Sequence, residues 1–142
     1  MSLEQNKALV RRFLDEVIGR GDLEAADGLC AADLAWHGVG VGELADLAAF
    51  KRAVAPFLTA FPDLSVTAED LLAEGDRVVA RYTWRGTQRG EFFGIPATGR
   101  SVEVAGTSIY RLAGGKIVEE WWLEDLLGLM QQLGASGGQA SA

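Results

Sequence analysis

The sequence predicts an α+β domain, with helices first and one long antiparallel sheet after them. Three observations lead there. Apolar residues recur at helical spacing as far as Pro62. Beyond it the period falls to two, in four stretches separated by Gly-containing turns such as EGD and AGG. Helices and strands are segregated rather than alternating, so parallel βαβ units are not expected. A strongly curved sheet wrapped around helices encloses a cavity at its wide end, which is a default place for a ligand.

Each element has its own warrant. Ser2 and Gln5 make an S-x-x-Q capping box, and Leu9, Val10, Phe13, Leu14 and Val17 repeat on one face behind it. That predicts a helix over about 3–19, stopped by Gly19 and Gly21. Asp22 can cap a short second helix over LEAADGLC. A brief strand is predicted around LAWHG, then a loop over GVGVGE. ELADLAAFKRAVAPFLTAF reads as a third helix, broken or kinked at Pro56. DLSVTAEDLLAEG, DRVVARYTWRGTQ, GRSVEVAGTSIYRLAGG and KIVEEWWLED read as strands. GTQRGEFFGIPATGR, from Gly86 to Arg100, is a long hairpin connection whose Phe92 and Phe93 fold back onto the cavity mouth or the core. DLLGLMQQLG is a terminal helix. The expected organisation is one domain over 1–134 with a small-residue, disordered tail over 135–142.

Composition narrows the function. With 142 residues, 49% hydrophobic and 23% charged, the chain can build one real core. A net charge of −7 and the lack of a Lys/Arg run argue against nucleic acid and against an anionic membrane surface. Apolar stretches are too short and too interrupted to span a bilayer. MSLEQNKALVRRF has no signal-peptide apolar region, so a cytoplasmic location is expected. One cysteine, Cys30, allows no intrachain disulfide and reads as an inert buried thiol. One histidine, His37, makes a His/Cys zinc site improbable, and no H-E-x-x-H, C-x-x-C, Walker A or dinucleotide-binding fingerprint is present. No metal and no other cofactor is expected.

The chemistry centres on GGKIVEEWWLEDLLGLMQQLG, positions 114–134. Strand parity puts Ile117, Glu119, Trp121, Leu123 and Asp125 on one face and Val118, Glu120, Trp122 and Glu124 on the other. The first set is the more apolar, so it is predicted to face the core. Two carboxylates, Glu119 and Asp125, then point inward, where burial raises a carboxyl pKa and suits it to proton transfer. Asp125 also stands where an N-cap belongs, immediately before LLGLMQQL. Catalyst and cap are both open, and they are not exclusive. Glu119 reads as a buried acid paired with an Arg, and Trp121 as core or pocket wall. An outward Trp122 beside Val118 would suggest a subunit interface and a homodimer. Phe13 and Trp36 are candidate pocket aromatics. His37 is the side chain whose ordinary pKa lies nearest neutrality. Arg81 is either inside, pairing with an acid, or on the surface.

The order and spacing of four pieces resemble the SnoaL-like polyketide cyclases, within the nuclear transport factor 2-like superfamily. The pieces are the N-terminal helix with GDLEAADGLCAADLAWHG, then FPDLSVTAEDLLAEGDRVVARYTWRGTQRGEFFGIPATGR, then VEVAGTSIYRLAGGKIVEEWW, then WLEDLLGLMQQLG. Together they span roughly residues 4–134. The resemblance implies a cone: a bent antiparallel sheet closed by helices around a deep apolar pocket, commonly dimeric through the sheet. It implies a cofactor-free intramolecular aldol condensation of a small apolar or aromatic polyketide-type carbonyl compound. It places Asp125 at the family's general acid–base position, His37 at a pocket histidine, and Glu119 and Trp121 on the family's E-x-W strand. Glu120 and Gln88 stand where the family often has histidine. The expected mechanism has Asp125 removing a proton alpha to a carbonyl while His37, Gln88 or a tyrosine donates to the enolate oxygen. Within the same fold the alternatives are an epoxide hydrolase using Asp125 with Arg81, a hydroxylation-assisting enzyme, or a dimer that only binds ligand.

Overall fold

The computed structural model describes residues 1–134; the predicted tail over 135–142 lies outside the described residues. The first helix, α1 (Leu3–Arg12), starts on the capping box: Gln5 N donates to Ser2 Oγ at 3.0 Å and Ser2 N to Gln5 Oε1 at 2.8 Å. It continues through Phe13–Gly19 as wider π-type turns, which bury Phe13, Leu14 and Val17 together. Such turns are rare and concentrate at functional sites. Asp22 caps a 3₁₀ turn leading into the short α2 (Ala26–Leu29).

The next strand, β1 (Cys30–Gly38), is longer than LAWHG, and the predicted loop GVGVGE folds into a hairpin with a short edge strand, β2 (Gly42–Leu44). Helix α3 (Leu47–Ala60) starts on Asp46, whose carboxylate accepts from Ala49 N at 2.8 Å. It runs on through Pro56, which lies on its exposed side, so the predicted break at Pro56 does not occur. Arg52, whose carbonyl loses its helical partner there, is exposed as well. Four strands follow: β3 (Ser65–Glu74), β4 (Arg77–Thr87), β5 (Ser101–Ala113) and β6 (Lys116–Glu124). A final helix, α4 (Leu126–Gln132), comes last.

The strands form a single bent, unclosed sheet in the order β2-β1-β6-β5-β4-β3. All neighbours are antiparallel except β1 and β6, which run parallel, with Trp36 opposite Glu120 and His37 opposite Trp121. No hairpin joins β1 to β6: the rest of the sheet lies between them in the chain, which leaves them free to run parallel. Along β4 and β5 the alternation is clean. Val78, Ala80, Tyr82 and Trp84 face inward with Val102, Val104 and Tyr110, while Arg77, Arg81 and Arg85 face out. The inward face packs on α1 and α3, where Phe13 meets Phe50 and Tyr110 at 5.9 and 5.8 Å between ring centroids. Cys30 is buried, and burial is the main reason its thiol is pushed up to about 12, which keeps it protonated and unreactive. Among the described residues no helix is long and apolar enough to cross a membrane.

Candidate active site

Between the sheet and the helices lies a cavity of about 440 Å³. Its walls are mainly aromatic and aliphatic, and the π-type turns contribute Phe13, Leu14 and Ile18. The hairpin of β1 and β2 and the loop around Phe93 form parts of the rim. Its ionisable lining groups are Glu43, Tyr82, Tyr110, Glu120 and Glu124; among the described residues no Lys, Arg or His lines it.

Which residues of β6 reach this cavity is decided by a bulge. Leu112 pairs with Ile117, but the next pair is Arg111 with Glu119, so Val118 is an extra residue in the strand. An extra residue reverses the side-chain alternation beyond it. Ile117 is fully buried, as parity predicts. After Val118 the faces exchange: Glu120, Trp122 and Glu124 line the cavity, and Glu119 and Trp121 turn to the outer face. The prediction that Glu119, Trp121 and Asp125 point inward is therefore overturned. Trp122 is packed at 5.4 Å from Trp36 inside, so the exposed indole that argued for a subunit interface does not exist.

Glu124 is the centre of the polar machinery. It accepts hydrogen bonds from Tyr82 Oη at 2.6 Å, Trp84 Nε1 at 3.0 Å and Trp122 Nε1 at 3.1 Å. Burial pushes its pKa up, and the three donors act against that rise. The arrangement needs Gly106 on the neighbouring strand. A Cβ there would come within 2.7 Å of Tyr82 Oη and of Glu124 Cγ.

Glu120 is different. It is 3% exposed, and its Oε1 has no hydrogen-bond partner; neither has the nearby Ser108 Oγ. Burial is the main reason its carboxyl is pushed up to about 8, and the Glu124 charge adds to it. The hydroxyls of Ser108 and Tyr110 pull the other way. Glu120 is among the residues lining the cavity, while its unpartnered Oε1 is itself buried. Buried polar atoms without partners are uncommon in folded proteins and ask for an explanation. Here a bound ligand's polar group would supply one.

The predicted residues divide. Phe13 and Trp36 line the cavity. Asp125 is exposed and caps α4, accepting from Gly128 N at 2.8 Å; it is not among the lining residues. Its place at the strand–helix junction turns the carboxylate back onto the first turn of α4. His37 sits on the outer face, opposite in parity to Trp36. Its Nε2 is 2.7 Å from Glu119 and its Nδ1 3.2 Å from Glu43, and its ring stacks on Trp121 at 5.5 Å. The hydrogen bond with Glu119 raises the His37 pKa most, and the same bond is the largest cause lowering that of Glu119. Glu119 does pair with an arginine, Arg111, at 3.0 Å, but outside the cavity. Arg77 lies 4.8 Å over the Trp121 ring. Arg81 is exposed and paired with Asp70 at 2.7 Å, because it alternates with inward Tyr82 and Ala80. Gln88 is fully buried, yet its amide is consumed by the loop backbone and Thr98 and lines no part of the cavity. Glu120, Trp122 and Glu124 were the residues to find. The signal was present as E-x-W-x-E at period two, and the bulge hid its direction.

The family model described as SnoaL-like polyketide cyclase matches residues 8–133. No curated protein matches the chain. Among solved structures, a candidate SnoaL-like polyketide cyclase from Jannaschia sp. CCS1 is 27% identical, with a TM-score of 0.86 over 94% of this chain and 93% of that one. AclR, a candidate hydroxylase from Streptomyces galilaeus, is 30% identical, with a TM-score of 0.85 over 94% and 98%. IdmH, a candidate polyketide cyclase from Streptomyces antibioticus, is 30% identical, with a TM-score of 0.81 over 92% and 99%. A bent sheet over an aromatic-lined cavity and a family match over almost the whole described chain agree: the protein belongs to the SnoaL-like polyketide cyclase family.

Proposed function

We propose that the chain closes a ring in an apolar, polyketide-type carbonyl compound by cofactor-independent aldol chemistry, with Glu120 as the general acid–base group. One observation carries the reading: a buried carboxyl with a free oxygen, its pKa near 8, on the wall of an aromatic-lined cavity. In its ionised form Glu120 takes a proton from carbon alpha to a carbonyl. The enolate oxygen receives a hydrogen bond from the Tyr110 hydroxyl. The alpha carbon attacks a second carbonyl of the same molecule, forming the new carbon–carbon bond. The neutral Glu120 then returns its proton to the resulting alkoxide. Each proton taken is given back, so no cofactor is required. Glu124 acts as a positioning residue, fixing Tyr82 and two indoles through hydrogen bonds.

The hydrolase alternative has less support. It needs an arginine beside an acid in the cavity, and among the described residues the arginines that pair with acids are not among those lining it. The ring-closing reading is tested by solvent deuterium exchange. An aromatic substrate bearing two ketones is expected to take up deuterium at its acidic carbon faster with the protein than in buffer alone. An exchange rate equal to that of buffer would sink the assignment.

A homodimer through the outer sheet face completes the proposal. That face carries exposed Leu123 near Trp121 on β6 and exposed Leu72 on β3. Sedimentation is expected to give a dimer at micromolar concentration, and a monomer there overturns it.

A further inference from the structure

Phe93 is the one non-glycine residue with positive φ among those described, at 49°. It and Gly94, at φ 80°, are the central residues of a tight turn closed by Phe92 N to Ile95 O at 3.0 Å and Ile95 N to Phe92 O at 2.9 Å. Positive φ at both central positions is the type I′ signature, where Asn, Asp or Gly is the low-energy choice for the first. A phenylalanine there is strained, and strain of this kind persists where the surroundings enforce it and often serves a site. The surroundings do enforce it. Phe92 is buried 4.8 Å from Phe57 and 5.3 Å from Phe61. Gln88 stitches the loop from beneath: its Nε2 donates to Gly90 O and Ile95 O, and its Oε1 accepts from Thr98 N and Thr98 Oγ1. Yet Phe93 itself gains little burial from the strain. It is 69% exposed while lining the cavity rim, its ring 6.3 Å from Phe57.

We propose that Phe93 is a substrate-positioning clamp, whose ring is held over the cavity mouth to stack on the outermost planar ring of a polycyclic aromatic ligand. This rests on the carbonyl-compound reading above and deepens it, since the clamp favours fused rings long enough to reach the mouth. A ligand of one ring would sit on the inner aromatic wall and leave Phe93 untouched.

The substitution Phe93→Asn separates clamp from packing, because Asn tolerates positive φ and relieves the turn. The probe is alizarin, a planar three-ring ketone, with single-ring acetophenone as control. Binding is read from quenching of the cavity tryptophans. The expected result is a thermal midpoint equal to or above wild type, with alizarin bound roughly tenfold more weakly and acetophenone unchanged. Phe93→Tyr is expected to keep alizarin affinity. Wild-type binding with undiminished affinity in Phe93→Asn overturns the clamp and leaves the cyclase reading standing. A fall in the thermal midpoint of Phe93→Asn shows that the ring is packing, and also overturns it. Failure of wild type to bind alizarin at all overturns the clamp together with the aromatic-substrate reading.

Discussion

Replacing Glu120 with Gln is expected to lower turnover of a ring-closing substrate by roughly 10²–10⁴-fold, the usual loss for a general acid–base group. The same substitution should make the protein more stable in alkaline solution. The carboxyl has a pKa of about 8 when folded against an ordinary 4.5. Between those values the folded state holds a proton that the unfolded state has lost, so stability falls as pH rises. The contribution is fully present below 4.5 and gone above about 8. The difference between those two values corresponds to something on the order of 5 kcal/mol as an upper bound. Gln keeps the shape and removes the titration. Urea unfolding at acid and alkaline pH should therefore show a shallower decline for Glu120→Gln than for wild type. The two readouts oppose each other, which separates loss of chemistry from loss of fold. Asp125→Asn is the companion variant. Asn caps a helix about as well as Asp, so stability should change by only a few tenths of a kcal/mol. Turnover should persist, because Asp125 is outside the cavity lining. A variant Asp125→Asn that loses turnover while Glu120→Gln keeps it would return the acid–base role to Asp125.

The exchange of these two acids shows where the sequence was legible. Helix starts were readable because capping is local: Ser2 with Gln5, Asp22, and Asp125 all cap as their spacing predicts. The strands after Pro62 were readable because β4 and β5 alternate without interruption. The inward face of β6 was not, because Val118 has no sequence mark distinguishing a bulged residue from a paired one, and one extra residue inverts the six that follow in the strand. The pocket role of His37 came from the family resemblance alone; here Trp36 lines the cavity and His37, the next residue of the strand, takes the other face. Gln88 shows a third limit. Its four hydrogen bonds are all to the loop it precedes, so nothing in its own neighbourhood distinguished a donor for ligand from a brace for backbone.

Glu124→Ala is expected to have the largest effect on stability, about 3–5 kcal/mol. Three donors converge on this carboxylate, from Tyr82, Trp84 and Trp122, and the first two side chains are almost fully buried. Removing the acceptor strands all three at once, and each stranded buried donor costs about 1–3 kcal/mol. The sum overshoots because water entering the emptied site satisfies part of the demand. Glu124→Gln keeps the volume and one carbonyl oxygen, but its amide nitrogen faces a donor, so about half the loss is expected. Tyr82→Phe removes a single donor and leaves the carboxylate with both indoles, for about 1 kcal/mol. These substitutions share one network and should not add: Tyr82→Phe in the Glu124→Gln background should cost less than in wild type. Denaturant unfolding with near-ultraviolet circular dichroism measures both the stability and the setting of the indoles. A loss under about 1 kcal/mol for Glu124→Ala, the size of an exposed substitution, would mean that water already meets these donors. Glu124 would then have no claim as the residue that sets the cavity's geometry. The expected large loss, with altered indole dichroism in Glu124→Gln and a folded Glu120→Gln of undisturbed dichroism, would divide the two acids by role: one sets the aromatic wall, the other moves the proton.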